Sequence, residues 1–227
     1  MRQDEEKAGE IYNKWMKARG PYGWFGRYVF KFTGELHAKT LIEQLSITKD
    51  DKILDVGCGT AVMLIELAKL LESKNPLHGI ETSDEMLKIT GRNIKAAGLE
   101  SRIILQKGQA TTLPFANGSF DVAICMGVAK YMTDDTLAES LSEMNRVLGQ
   151  GGRIILTEFG TPSRRTIKWA MKRHGVEKFR SRDELESKLN KAGFADINML
   201  CLEYRECLLR IKQLALAAQK SFLNHES

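Results

Sequence analysis

The sequence has little of what marks several protein classes. Its 227 residues include only 4 prolines, and its 19 glycines follow no repeat, which excludes collagen-like and linker-dominated chains. No apolar run approaches the roughly 18 residues of a membrane-spanning helix. The charged N-terminal segment MRQDEEKAGE lacks an apolar core, so we expect no secretory signal peptide. With 43% hydrophobic and 28% charged residues, the composition is that of a globular protein.

Cysteine is also scarce. The 4 cysteines form no C-x-x-C pair, and none has a histidine at zinc-finger spacing, so we predict no metal site. Cys58 and Cys125 lie in apolar segments, where a free thiol acts as a small hydrophobic residue. Free thiols indicate a reducing compartment, and we expect a cytoplasmic protein.

Positive charge exceeds negative charge only slightly, with 34 Lys and Arg against 29 Asp and Glu. The excess is densest between residues 164 and 182, at Arg164, Arg165, Lys168, Lys172, Arg173, Lys178, Arg180 and Arg182. A solvated helical face is the ordinary explanation of such a basic stretch. An anionic substrate, an anionic membrane surface and RNA remain as alternatives.

Strands and helices alternate from residue 52 onward. Short β-rich segments fall at residues 52–56, 77–81, 102–106, 120–125, 152–157 and 197–202. Helical periodicity falls at residues 61–72, 84–97, 134–147 and 181–192, with Ser83 or Asp84 and then Ser181 as predicted caps. This order predicts an α/β fold, a doubly wound, mostly parallel sheet with helices on both faces. Ligands of such sheets bind at the carboxyl ends of the strands.

The two ends of the chain differ from this alternation. We divide the chain into an N-terminal helical and aromatic cap at 1–50 and a main domain at 51–227, with a covering insertion at 161–180. Apolar residues near the C-terminus fit helical spacing, namely Cys207, Leu208, Ile211, Leu214, Ala215 and Ala218. We therefore predict a C-terminal helix, unless the last strand is short. Its apolar face would pack on the core or on a partner chain, as in a homodimer.

A glycine turn follows the first strand, in Ile53-Leu-Asp-Val-Gly-Cys-Gly-Thr-Ala61. Glycine lets a ligand approach the backbone, because no Cβ stands in the way. Dinucleotide-binding proteins carry a third glycine where this chain has Val62, which weakens a nicotinamide interpretation. Glu81 ends the second strand, where a carboxylate can accept both hydroxyls of a ribose. Capping of the helix at Asp84 is the alternative role for Glu81.

Four segments in one order carry a family resemblance: ILDVGCGTA at 53–61, GIETSDEML at 79–87, LPFANGSFDVAICMGV at 113–128 and EMNRVLGQGGRIILTE at 143–158. Together they resemble the class I S-adenosylmethionine-dependent methyltransferases, most closely the ubiquinone/menaquinone-biosynthesis and small-molecule branch. The resemblance implies a Rossmann-like fold and S-adenosyl-L-methionine as cofactor.

The resemblance also implies which residues bind the cofactor. Asp55, Gly57, Cys58, Gly59 and Thr60 would form the pocket for its methionine part. The ribose and adenine would meet Glu81, Thr82, Met86, Gln109 and Ala110, and the sulfonium would lie near Met126. The chain departs from the family at three places. Gln109 replaces an acid, Ala61-Val62 replaces a glycine, and Ala129-Lys130-Tyr131 stands where relatives often carry histidine or other polar residues.

Methyl transfer from a sulfonium is an in-line displacement with a good leaving group, so positioning suffices and no metal is required. A base is needed only for a protonated acceptor. The candidate bases are His37, Lys130, Tyr131, Glu158 and His174; we retain Lys130, Tyr131 and Glu158 as weak catalytic candidates.

The acceptor is predicted between the fourth and fifth strands, beneath segments 21–32 and 161–180. Its candidate contacts are Tyr22, Trp24, Phe25, Lys130 and Glu158, although the aromatic stretch could instead be packing alone.

Three functions remain in competition at this point. Methylation of a small-molecule acceptor is the leading one. RNA or protein methylation gains from the basic stretch, but Met126-Gly127-Val128 replaces the N-P-P-Y-type motif such enzymes often carry, and nucleic acid is an improbable partner. A cofactor-binding partner subunit without catalysis is the third.

Overall fold

The computed structural model describes residues 38–159, 165–173, 175–200 and 213–221. Residues 38–45 are helical (α1). The remaining helices are α2 (Val62–Leu70), α3 (Asp84–Ala96), α4 (Asp134–Val147), α5 (Arg165–Arg173) and α6 (Arg182–Lys191), with a short 3-10 helix at Ala129–Tyr131. The strands are β1 (Ile53–Val56), β2 (Leu77–Glu81), β3 (Ile103–Lys107), β4 (Phe120–Met126), β5 (Leu148–Phe159), β6 (Phe194–Met199) and β7 (Gln213–Lys220).

The strands form one seven-stranded sheet in the order β3-β2-β1-β4-β5-β7-β6. β1 to β5 are parallel, and β7 runs antiparallel between β5 and β6. The sequential order reverses where β1 lies beside β4, which opens a crevice at the carboxyl ends of these two strands. The predicted doubly wound α/β fold is confirmed.

Side chains of the central strands alternate between two buried clusters, one on each face of the sheet. Ile53 and Ile124 point to the face covered by α1, α2 and α3, whereas Leu54 and Cys125 point to the face covered by α4 and α6. This alternation has the two-residue period of a strand. Because both faces of the sheet are buried, the central strands are mostly apolar, and packing on both faces fixes the strand ends that carry the site.

The prediction of a C-terminal helix is wrong for residues 213–220, which form strand β7. β7 lies inside the sheet, so Ala215 and Ala217 pack on one face while Leu216 and Ala218 pack on the other. A strand buried on both faces shows no alternation, and its run of Leu and Ala imitates a buried helix. The described part of the apolar face that suggested a homodimer, namely Leu214, Ala215 and Ala218, packs within the chain.

Other sequence predictions fall partly outside the described ranges. Residues 1–37 of the N-terminal cap and residues 207–212 of the predicted C-terminal helix lie outside them. The predicted helix near Leu41 is present as α1. β5 begins at Leu148, earlier than the predicted Gly152. No helix in the described ranges is long and apolar enough to cross a bilayer.

Candidate functional site

Backbone hydrogen bonds join the carboxyl ends of β1, β2 and β3 into one surface. The amides of Gly57 and Cys58 donate to the carbonyl oxygen of Ile80 over 2.8 and 3.0 Å. The Gly108 amide donates to the Glu81 carbonyl oxygen over 3.1 Å. The glycine turn, the strand-end acid and the turn after β3 were predicted to share a site, and the structure brings all three together.

The glycine turn needs glycine for two reasons. Gly57 has a φ of +74° and Gly59 a φ of +53°, in the left-handed region. A Cβ on Gly57 would lie 2.6 Å from Cγ2 of Val128, far inside van der Waals contact. Ala61 also has a positive φ, +59°, just before α2. The family's glycine is absent there, so the alanine holds a conformation that costs about 1 kcal/mol.

The Glu81 side chain links the two turns. Its Oε2 accepts the Gly59 amide over 3.1 Å, and its Oε1 accepts the amides of Thr82 and Ser83 over 2.9 and 3.1 Å. Ser83, rather than Glu81, is the N-cap of α3, since its hydroxyl accepts the Met86 amide. Each carboxylate oxygen can accept about two hydrogen bonds, so Oε2 retains capacity for a donor from a bound molecule.

Two α3 residues that the sequence analysis missed support the same turn. The Thr90 hydroxyl contacts the carbonyl oxygens of Gly59 and Met86, and Thr90 is fully buried. The side-chain amide of Asn93 donates through Nδ2 to the Thr60 carbonyl oxygen over 3.1 Å. The spacing of Met86, Thr90 and Asn93 along one helical face is the signal that could have found them.

The described residues fit the cofactor that the resemblance implies. Nε2 of Gln109 is buried without a hydrogen-bond partner, as expected of a donor awaiting an acceptor such as a ring nitrogen. Ala110 beside it is buried, which makes this wall apolar. Met86 is fully buried in the first turn of α3, and Met126 lies half-buried at the end of β4. A purine edge needs such a combination of apolar wall and amide.

Asp55 is the most perturbed acid of this surface. It is 3% exposed on β1, and burial, reinforced by the charge of Glu81, raises its pKa to about 7. Burial also raises the pKa of the neighbouring Cys58 thiol, with Asp55 and Glu81 adding to the effect. Cys58 is therefore an inert thiol, whereas Asp55 changes charge close to neutral pH.

Replacement of Asp55 by asparagine should remove the loss of folding stability that deprotonation of this buried carboxyl causes as the pH rises. The ordinary pKa of the carboxyl is 3.8 and the folded value is about 7, so the folded protein binds this proton more tightly. The associated stability is present below about pH 4 and is lost as the pH rises to about 7, by at most about 4 kcal/mol. In urea unfolding, the free energy of unfolding of Asp55→Asn should therefore rise relative to that of the wild type as the pH increases across this range.

The exposed Asp183→Asn is the matched control for that measurement, since Asp183 lies in the first turn of α6. Its difference from the wild type should stay nearly constant over the same range. A constant difference for Asp55→Asn would contradict the assignment of a raised pKa to Asp55.

Two buried ionisable residues lie near the ends of β4 and β5. Lys130 is 6% exposed and Glu158 is fully buried. The Lys130 ammonium contacts the Gly127 carbonyl oxygen and lies 4.6 Å from the centroid of the Tyr131 ring. Burial lowers the pKa of Lys130, and the charge of Glu158 opposes that change. The three catalytic candidates Lys130, Tyr131 and Glu158 are thus brought to one place, beside the turn that carries Val128.

A buried arginine fixes this turn. Arg180, fully buried, donates to the carbonyl oxygens of Ala129 and Met132 over 2.7 and 2.8 Å, and its Nε donates to Asp134 over 3.0 Å. The amides of Glu177 and Lys178 donate to the Lys130 carbonyl oxygen. Part of the predicted covering segment, residues 175–180, therefore lies against the turn after β4. The sequence placed Arg180 in a basic stretch without distinguishing it from exposed neighbours.

Several predicted contacts lie outside the described residues: Tyr22, Trp24, Phe25, His37 and His174. Their roles stay predictions. In the ranges that the structure describes, no group of His, Cys, Asp and Glu has the arrangement of a metal site.

Comparison with known proteins gives the family. A methyltransferase-domain family matches residues 53–152. The demethylmenaquinone methyltransferase of Geobacillus stearothermophilus is 31% identical over 189 residues, covering 71% of this chain and 78% of the relative. A ubiquinone/menaquinone biosynthesis C-methyltransferase of Geotalea daltonii is 32% identical over 122 residues, covering 53% of this chain. The chain spans about half the length of that Geotalea relative, 51%.

A solved structure supports the fold. The geranyl diphosphate C-methyltransferase of Streptomyces coelicolor A3(2), determined with Mg²⁺, geranyl diphosphate and S-adenosyl-L-homocysteine, superposes with a TM-score of 0.66 at 17% identity. The match covers 82% of this chain and 78% of that one. Sequence relatives and fold agree, and the chain belongs to the class I S-adenosylmethionine-dependent methyltransferases, in the branch of the quinone-biosynthesis C-methyltransferases.

Proposed function

We propose that the protein transfers a methyl group from S-adenosylmethionine to a small-molecule acceptor. The observation that carries the proposal is the hydrogen bond from the Gly59 amide to Glu81 Oε2, which joins the glycine turn to the strand-end acid. This link makes one preformed surface of the groups assigned to the methionine and ribose parts. The bound cofactor supplies an electrophilic methyl group on a sulfonium.

We propose that the acceptor lies over the ends of β4 and β5, on the side of Val128, Lys130 and Glu158. Lys130 and Glu158 are both buried, so their electrostatic effect on an acceptor is weakly screened. Burial lowers the pKa of the Lys130 ammonium, which is the direction that favours a lysine as a proton acceptor. Lys130 is therefore the proposed base for an acceptor hydroxyl, and Glu158 stabilises the resulting ammonium.

The names of the relatives suggest the acceptor class. They are a demethylmenaquinone methyltransferase and a ubiquinone/menaquinone biosynthesis C-methyltransferase. We propose a hydroquinone-type aromatic ring, methylated at carbon. Removal of the proton from a ring hydroxyl raises the electron density of the adjacent carbon, so a base at Lys130 suits this chemistry. The buried thiol of Cys58 fits a reducing, cytoplasmic setting.

Labelled S-adenosylmethionine with a short-chain demethylnaphthohydroquinone tests the proposal. Label should enter the quinone in the wild type.

Glu81→Gln should weaken cofactor binding about tenfold or more by calorimetry, because a carboxylate acceptor of charge-assisted bonds is lost. Lys130→Met should lower kcat on the acceptor while cofactor affinity stays within about twofold. The exposed Lys49→Met is the matched control and should change neither quantity.

The alternatives give different results in the same assay. Label that enters only RNA or protein, when a cell extract replaces the quinone, would indicate a macromolecular substrate. Cofactor binding without transfer to any fraction would indicate a non-catalytic subunit.

A further inference from the structure

The basic stretch at 164–182 divides into two structurally different parts. In its second part, the cationic side chains form ion pairs or hydrogen bonds with other groups of the protein. Lys178 forms ion pairs with Asp134 and Glu184, over 2.8 and 3.0 Å. Arg180 is buried, and Arg182 pairs with Glu186 one helical turn away. These residues stabilise the fold, so they do not explain the charge of the first part.

The first part forms one exposed stripe on α5. Arg165, Lys168, Trp169 and Lys172 have the spacing i, i+3, i+4 and i+7, which places them on one helical face. All four are exposed, and Trp169 is 64% exposed, the most of any large hydrophobic residue in the described ranges. The Lys172 ammonium also contacts the Glu177 carbonyl oxygen, so Arg165 and Lys168 carry most of the charge of this face. The nine residues of α5 include no acid. We call these four residues the α5 stripe.

The α5 stripe is tied to the acceptor side of the site. The Gly175 amide donates to the Lys172 carbonyl oxygen over 3.0 Å, and the Val176 amide donates to the Met171 carbonyl oxygen over 3.1 Å. The next amide, that of Glu177, donates to the Lys130 carbonyl oxygen over 2.7 Å. The end of α5 therefore passes directly onto the turn after β4, so whatever binds the stripe lies beside that turn.

We propose that the α5 stripe docks the protein on an anionic phospholipid bilayer. An indole flanked by cationic side chains on one helical face is typical of interfacial helices. The ring enters the headgroup region, while the Lys and Arg groups meet anionic headgroups. RNA is less favoured, because the stripe is a single helical face and the neighbouring cations are paired inward.

The docking is weak and reversible, because Arg165, Lys168 and one indole carry it, whereas the Lys172 ammonium already contacts the Glu177 carbonyl oxygen. It should depend on anionic lipid and weaken as salt rises, since exposed charges are screened within about 10 Å at about 0.1 M salt. Docking goes beyond methyl transfer and needs no turnover to be observed. Its failure would therefore leave the proposed function untouched.

Flotation with two kinds of vesicle tests the proposal. The full-length protein should float with phosphatidylcholine vesicles that contain phosphatidylglycerol, and poorly with phosphatidylcholine alone. Arg165→Glu/Lys168→Glu should lower the partition coefficient by about tenfold or more. Lys88→Glu/Arg92→Glu is the matched control, since it makes the same charge change on exposed residues of α3, and it should retain most of the binding.

Tryptophan fluorescence adds a second measurement. The chain has 3 tryptophans, so the difference between wild type and Trp169→Phe isolates the signal of Trp169. That signal should shift to shorter wavelength only with anionic vesicles. Equal flotation of the two charge-reversed variants, or binding of RNA fragments in preference to anionic vesicles, would overturn the proposal. Cofactor binding by each variant verifies that it is folded.

Discussion

Gly57→Ala should reduce cofactor affinity by about a hundredfold or more and destabilise the protein by about 2–3 kcal/mol. The added Cβ would lie 2.6 Å from Val128 Cγ2, and the backbone has a φ of +74°. Either the glycine turn or the β4 turn must move, and both line the proposed site. Calorimetry with S-adenosylmethionine and urea unfolding measure the two effects.

Three further variants separate the causes of this effect. Gly98→Ala introduces the same left-handed strain, with a φ of +68°, where no atom lies within 4 Å of the added Cβ, so it should lose stability and keep cofactor affinity. Gly91→Ala, in the open interior of α3, should be neutral or stabilising by about 1 kcal/mol. Gly57→Ala/Val128→Ala relieves the contact and should recover part of the affinity. Unchanged affinity in Gly57→Ala would falsify the assignment of the turn.

Arg180→Met should destabilise the protein by about 3–5 kcal/mol, because it removes the donor to two buried carbonyl oxygens and one of the three cations that pair with Asp134. Loss of these contacts frees the turn that carries Lys130, so kcat on the acceptor should fall more than cofactor affinity. Arg180→Lys should recover little, since an ammonium cannot reproduce the forked geometry of the guanidinium. Urea unfolding and steady-state kinetics provide the measurements.

Arg182→Met is the matched control for this prediction. Arg182 is a neighbouring arginine, 46% exposed, that pairs with Glu186 on the surface of α6. Exposed pairs of this kind contribute about 0.3–0.5 kcal/mol, so stability should change little and turnover not at all. If both variants lost the same small amount of stability, the buried contacts of Arg180 would not hold the turn.

Much of the fold could be predicted because local patterns agree with the final structure. The predicted bounds of β2 and α4 match those observed, since turn residues flank the first and apolar residues recur at helical spacing in the second. Ser181 is the predicted cap of α6, and Ser83 is one of two predicted candidates for α3, with Asp84 as the other; both serines accept backbone amides at the start of these helices. The predicted order of strands and helices likewise puts the glycine turn and Glu81 at the ends of adjacent strands.

The remainder depends on contacts between distant parts of the chain, which local patterns do not contain. β7 is apolar on both faces only because β5 and β6 enclose it, so its sequence resembled a helix. Arg180 differs from its basic neighbours only through partners 46 to 51 residues away. The electrostatic effect of Glu158 on Lys130 likewise requires β4 and β5 to be adjacent.

The interior position of β7 has a consequence for biosynthesis. β5 is synthesised well before its neighbour β7. While residues 160–212 are being made, the edge of β5 that pairs with β7 and the apolar side chains near Ile155 lack the strand that covers them in the folded protein. An unpaired apolar edge is a site of aggregation. We therefore expect a chain truncated before residue 213, which lacks β7, to expose this apolar edge and to aggregate more readily than the full chain.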